Sequence, residues 1–95
     1  MKIEWSPRAL SSVRATHAYI ARDNPAAAKD VTERIIEVVE SLVSFSPRIG
    51  RPGRIEGTRE LIVSRTPYIV VYSIGTDRVH VLAVLHHAQD WPGSP

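Results

Sequence analysis

The sequence predicts an α+β fold: a short N-terminal strand, then an antiparallel helix hairpin packed on one face of an antiparallel β-sheet. Three observations carry this expectation. Two amphipathic runs, each opened by a capping residue and proline, are joined by only Asp23-Asn24-Pro25. Three β-rich runs follow, separated by turns too short for anything but antiparallel neighbours. Between the two halves lies Pro47-Arg48-Ile49-Gly50-Arg51-Pro52-Gly53-Arg54, a loop whose glycines and prolines disfavour both helix and strand.

Each element has a local reason. Lys2 to Trp5 reads as a strand with Ile3 and Trp5 on one side. Ser6-Pro7 starts the first helix, and Leu10, Val13, His17 and Ile20 recur at helical spacing, which places His17 on the buried side as a structural residue. Pro25 starts the second helix, in which Val31, Ile35, Val38, Leu42 and Phe45 recur at four, three, four and three. Asp30, Glu33, Arg34, Glu37 and Glu40 form its outer face. The predicted strands are Thr58 to Ser64, Tyr68 to Ile74 and Val79 to His86. The 95 residues are one domain, with a tail over 92–95 expected to be loose.

Composition narrows the function. An apolar fraction of 43% and a charged fraction of 23% are those of a globular chain rather than a disordered one. Cysteine is absent, so disulfides and thiolate chemistry are excluded. The N-terminal residues lack a signal-peptide pattern and no apolar run is long enough for a bilayer, so a cytoplasmic protein with no membrane partner is expected. There is no Gly-rich phosphate loop and no metal-ligand spacing, hence no expected cofactor or metal. The net charge of +2 hides a split: residues 46–65 hold five arginines against two glutamates, whereas residues 29–40 hold two cations against four acids. Clustered cations on a loop beside a sheet suit an acidic or anionic macromolecule.

Strand alternation sorts the sheet into two faces once Ser64 is set opposite Tyr68 and Gly75 opposite Arg78. In that register Ile62, Tyr68, Val70, Tyr72, Ile74, Val79, Val81, Ala83 and Leu85, with Glu60 at the edge, pack under the helices. Arg59, Leu61, Val63, Ile69, Val71, Ser73, His80, Leu82, Val84 and His86 line an open, half-apolar face that invites a partner. His80 is expected to be accessible and Val81 buried.

The motifs, taken in order, resemble the RelE/ParE superfamily of bacterial toxins. They are Trp5-Ser6-Pro7, Tyr19 to Ala28 around Asp23-Asn24-Pro25, Ile49 to Arg54, Gly57-Thr58-Arg59-Glu60-Leu61, Tyr68 to Tyr72, and Val84-Leu85-His86. The resemblance spans about residues 5 to 92. It implies the toxin of a type II toxin–antitoxin pair, neutralised by a cognate antitoxin, with operator DNA met only through that antitoxin. RelE-like members cleave mRNA on the ribosome, whereas ParE-like members poison DNA gyrase without catalysing a reaction. Ile69 and Gln89 stand where the nucleases are expected to carry arginines, and no tyrosine follows Trp91. These departures favour the ParE-like branch, with the mRNA endonuclease as the alternative. His87 departs from the ParE pattern, where glycine is common.

No residue stands out as firmly catalytic. His86, His80 and Arg59 are the candidates under the nuclease reading, the imidazoles for proton transfer and the guanidinium for developing phosphate charge. The expected partner-binding set is Arg48, Arg51, Arg54, Arg59, Ile69, Val71, His80, Leu82, Val84, His86 and Trp91.

Overall fold

The computed structural model describes residues 1–88. Gln89, Trp91 and the tail 92–95, on which expectations were placed, lie outside the described residues. The elements are β1 (Lys2–Trp5), α1 (Pro7–Ala21), α2 (Pro25–Glu37), β2 (Arg51–Pro52), β3 (Arg59–Ile62), β4 (Tyr68–Ile74) and β5 (Arg78–His86). They form a five-stranded sheet in the order β1-β5-β4-β3-β2, backed by the helix pair. All pairings are antiparallel except β1 with β5, which run parallel. That pairing needs the long crossover which the helices supply.

The caps form where the sequence places them. Ser6 Oγ accepts the Ala9 N–H at 3.0 Å and Asn24 Oδ1 accepts that of Ala27 at 3.0 Å, each just before a helix-opening proline. Ser6 also donates through its N–H to Val81 O at 3.0 Å and through Oγ to Leu82 O at 3.1 Å, which fixes the start of α1 on β5.

The buried helix faces differ from the predicted ones. On α1 the sheet is met by Ala9, Val13, Thr16 and Ile20, while Leu10 and His17 are exposed. Small Ala9 and Thr16 let the helix approach closely, so the apolar stripe turns by about one residue and His17 is not a buried structural residue. On α2 the buried positions are Ala28, Thr32 and Ile35, and then Val39 and Val43, spaced by four twice in succession. The helix passes into a π-helical segment over Val38–Val43, whose wider turn absorbs an extra residue. Leu42 is therefore 41% exposed and Phe45 88% exposed, contrary to the 3.6-residue projection.

The register of the sheet corrects the predicted faces at two places. Val63 donates to Tyr68 O at 2.9 Å, and β3 pairs Ile62 with Ile69 and Arg59 with Tyr72. The β3–β4 turn is closed by Arg65 in the left-handed region (φ 63°), which shifts the expected Ser64–Tyr68 pairing by one residue. A one-residue slip exchanges faces. Leu61 and Val63 consequently join the main core, and Ile62 is 54% exposed. In β5 a bulge at Leu82 falls between the Tyr72–Val81 and Val71–Ala83 pairs. Val79 and Val81, before it, keep their predicted place under the helices; Val84 and His86, beyond it, turn to the helix side, and Ala83 and Leu85 turn away from it.

The far face is consequently not a bare platform. Ile69, Val71, Ala83 and Leu85 form a second cluster, all under 9% exposed, with Leu82 packed against it. Val81 is fully buried and the His80 side chain is 39% exposed, in the predicted order.

Candidate functional site

The basic loop is held to the sheet by two side chains that lie on opposite faces of it. Tyr72, fully buried, donates its hydroxyl proton to Pro47 O at 2.6 Å and accepts the Gly50 N–H at 2.9 Å. Burial raises the phenol above its ordinary range, partly offset by the Gly50 bond and the nearby Arg59 guanidinium. A Cβ on Gly50 would stand 2.6 Å from that hydroxyl, so glycine is required for this close approach. Arg59 donates to the carbonyls of Arg48 and Gly50. It is thus committed to fixing the loop, on the same side of the sheet as Tyr72, rather than standing on an open face.

Glu60 is the second anchor. Its carboxylate is buried, yet it accepts the Arg54 N–H at 2.7 Å and meets the guanidinium of Arg51 at 3.4 Å and that of Arg54 at 3.6 Å. Acid and cations compensate one another, as a buried carboxylate requires. Arg51 also enters β2, a two-residue strand paired with β3 that the Gly/Pro content had concealed. The loop therefore folds back on β3. The two cations that meet Glu60 keep their outer atoms reachable: Arg51 and Arg54 side chains are 57% and 47% exposed. Arg48 is exposed and forms no ion pair among the described residues.

The three candidate catalytic side chains are not brought together. His80 stands on the far face beside β1, its Nδ1 2.9 Å from Glu4 Oε1, and Arg78 pairs with both Glu4 and Asp77. Hydrogen bonds from His80 and then Arg78 hold the Glu4 carboxyl below its usual range, and Arg78 does the same for Asp77. His86 lies on the opposite side, edge-on to Tyr68 at 5.5 Å, and its Nδ1 accepts the Ala88 N–H at 3.1 Å. Arg59 is bound into the loop. Their common face existed only in the slipped register.

Of the remaining partner-binding expectations, Ile69 and Val71 are buried in the second cluster and Val84 in the main core, so none offers surface in this structure. Leu82 is half-buried at the bulge. Arg48, Arg51 and Arg54 present the cationic surface, and His86 contributes to a groove.

That groove was missed at the sequence level. It is a cleft of about 690 Å³ between α1 and the end of the sheet, lined on the helix by Arg8, Ser12, Thr16 and Tyr19 and on the strands by Tyr68 and His86. Tyr19 is 66% exposed on its rim. Its signal in the sequence was the small and polar character of Ser11, Ser12, Ala15 and Thr16 along one side of α1, which leaves room between the helix and the sheet.

Comparison with known proteins now decides the family. The family model described as "ParE toxin of type II toxin-antitoxin system, parDE" matches residues 3–91. The chain belongs to the ParE toxin family. It is 45% identical over 91 residues to the Sinorhizobium fredii protein Y4kP, covering 96% of this chain and 93% of that one. It is 30% identical over 90 residues to Toxin RelE2 of Caulobacter vibrioides, covering 93% and 97%. Among solved structures, the chromosomal ParDE toxin–antitoxin system from P. aeruginosa matches with a TM-score of 0.78 at 23% identity, covering 88% of this chain and 92% of that one. The last likeness concerns the fold alone. This ParE-family chain therefore has the α+β architecture expected from its motifs, with a type II toxin–antitoxin system as its setting.

Proposed function

We propose that this ParE-family toxin acts in the cytoplasm by binding DNA gyrase and trapping it on cleaved DNA, and that a cognate antitoxin holds it inactive. The observation that carries the choice of target is the dispersal of the candidate acid–base groups. His80 pairs with Glu4 on one side of the sheet, His86 lies edge-on to Tyr68 on the other, and Arg59 is tied to the Arg48 and Gly50 carbonyls. With His80 on the far face and His86 on the helix side, one phosphodiester cannot be within hydrogen-bond reach of both imidazoles, and Arg59 is already bound to backbone carbonyls. What remains exposed is a binding surface: Arg48, Arg51 and Arg54 of the basic loop, and the α1 groove.

The groove supports the antitoxin reading along the helix hairpin better than over the far face of the sheet, whose aliphatics are already buried. It offers apolar wall from Val84 and Tyr68, and Arg8 for an acidic side chain. An amphipathic antitoxin segment carrying acids fits this chemistry. Operator DNA is then met through the antitoxin.

The deciding experiment sets purified toxin against two systems, gyrase supercoiling and translating ribosomes. Loss of supercoiling with accumulation of cleaved plasmid, and intact mRNA, is the expected result. Unaffected supercoiling together with cut mRNA in the ribosomal sample overturns the proposal in favour of the endonuclease. Under the gyrase reading His86→Ala retains toxicity; under the endonuclease reading it does not. Hydrogen exchange with antitoxin bound is expected to protect α1 and the end of β5.

A further inference from the structure

On the proposal that the antitoxin lies in the α1 groove, we infer that the hydroxyls of Thr16 and Tyr68 determine its selectivity, by donating to an acidic side chain of the bound segment. Among the described residues, those with polar side chains that are buried are Thr16, Thr32, Glu60, Tyr68 and Tyr72. Three of them are satisfied inside the fold. Thr32 Oγ1 donates to Ala28 O at 2.8 Å, Tyr72 bonds Pro47 and Gly50, and Glu60 meets the Arg54 N–H and two guanidiniums. Thr16 and Tyr68, 7% and 5% exposed, form no side-chain hydrogen bond among the described residues. Thr16 is placed on α1 much as Thr32 is on α2, yet it makes no bond back to the preceding turn. A buried hydroxyl without a partner is costly, and valine or phenylalanine would fill nearly the same space without that cost.

Both residues line the α1 groove, and no polar side-chain atom among the described residues is sealed from solvent without a partner. The two hydroxyls therefore open into the groove, from opposite walls, and are held ready for whatever occupies it. That site is rich in donors. Burial, and after it the Tyr19 phenol, raise Tyr68 above the ordinary phenol value, so it keeps its proton. Arg8, which can only donate, forms no ion pair among the described residues. No aspartate or glutamate lines the groove. The complement of such a lining is a group that only accepts, and hydrogen bonds to an ionised acceptor are the stronger kind.

The length of the groove selects a polypeptide over a free anion. Arg8 and Thr16 are eight residues apart on α1, about 12 Å along its axis. One small anion cannot span that distance, whereas a peptide can lay one acid near Arg8 and a second over Thr16 and Tyr68. A nucleic-acid backbone repeats its charge every few ångströms and is met by a row of cations. The groove has one arginine and no lysine, and the row of arginines lies on the basic loop instead.

The test uses Thr16→Val and Tyr68→Phe in the full-length toxin, which remove the hydroxyls with little change of shape. Urea unfolding of each free variant is expected to give a midpoint equal to or above that of wild type, since no internal bond is lost. Release of the cognate antitoxin from the immobilised toxin is expected to quicken by about tenfold or more in each variant. Arg8→Gln is expected to slow antitoxin association and to flatten its dependence on salt. Hydrogen exchange on the wild-type complex tells two failures apart. If α1 and the end of β5 are protected but both variants release antitoxin at the wild-type rate, the hydroxyl contact is overturned while the groove stands as the docking site. If neither element is protected, the docking proposal fails and the hydroxyl contact fails with it. A lowered midpoint in either free variant also overturns the contact, for the hydroxyl then has its partner within the fold.

Discussion

At the scale of single residues, the toxin's basic loop depends on one phenol. The Tyr72 hydroxyl is both donor to Pro47 O and acceptor from Gly50 N–H, and it does this from a fully buried ring. Replacing it with phenylalanine keeps the ring in the core but strands a buried Gly50 N–H and leaves the Pro47 carbonyl without that donor. Tyr72→Phe is therefore expected to destabilise the fold by about 1–3 kcal/mol, the usual cost of an unsatisfied buried group. Urea unfolding would read this as a lower midpoint at an unchanged slope. A variant as stable as wild type would mean that water replaces the phenol. Glu60 plays the complementary part on the other side, and these two residues explain why a loop rich in glycine and arginine holds a definite shape.

At the scale of elements, three irregularities decide which side chains are core. The π-helical segment brings Val39 and Val43 inward at the expense of Leu42 and Phe45. Val43→Ala should accordingly cost about 2 kcal/mol, from two lost methyl groups plus the cavity they leave. Phe45→Ala should change stability by less than about 0.5 kcal/mol, despite removing the larger side chain. Parallel thermal melts would check the pair, and the opposite ranking would put the helix back into regular α geometry. The same irregularities mark the limit of what sequence reasoning could reach. Ser6-Pro7 and Asn24-Pro25 announced both helix starts because capping chemistry is local. Tyr68 to Ile74 was readable because both flanks carry turn residues. The β5 bulge at Leu82, the left-handed Arg65 and the π turn each add or slip a single residue. An inserted residue leaves no mark in composition, but it exchanges the faces of every later position in a period-two pattern and turns every later position of a period-3.6 one by about 100°. Hence Val84 and His86 were read onto the wrong face, while His80, ahead of the bulge, was read correctly. Glu60 was noticed only as an edge residue, because the arginines that neutralise it reach it through a loop whose path the sequence does not state.

At the scale of the whole molecule, acid and alkali should act on opposite faces of the sheet. The first and last strands are clamped by Glu4, which accepts from Arg78 at 3.1 Å and lies 2.9 Å from His80, with Asp77 bound to Arg78 at 3.2 Å. These partners hold both carboxyls below their unfolded values near ~4. Below those values the unfolded chain takes up protons first, so the stabilisation is complete above about pH 5 and is lost as pH falls through the folded pKa of each carboxyl. Both groups are open to solvent, so the acid limb should be shallow and weakened further by salt. The tyrosines behave in the opposite sense. Burial raises Tyr72 and Tyr68 above the ordinary phenol value of about 10. There the unfolded chain releases its protons first, so the stabilisation is complete below about pH 10 and is lost as pH rises toward the folded values. Stability measured by urea unfolding should thus be level through neutrality and fall on both sides. Tyr72→Phe separates the two causes. It has no phenol at that position to ionise, so its deficit relative to wild type should narrow above pH 10 while staying constant on the acid side. A deficit that holds or widens in alkali would mean that Tyr72 ionises as readily in the folded protein as in the unfolded chain. The loop would then be reached by water, and the rigid display of Arg48, Arg51 and Arg54 on which gyrase binding is proposed to rest would lose its physical basis.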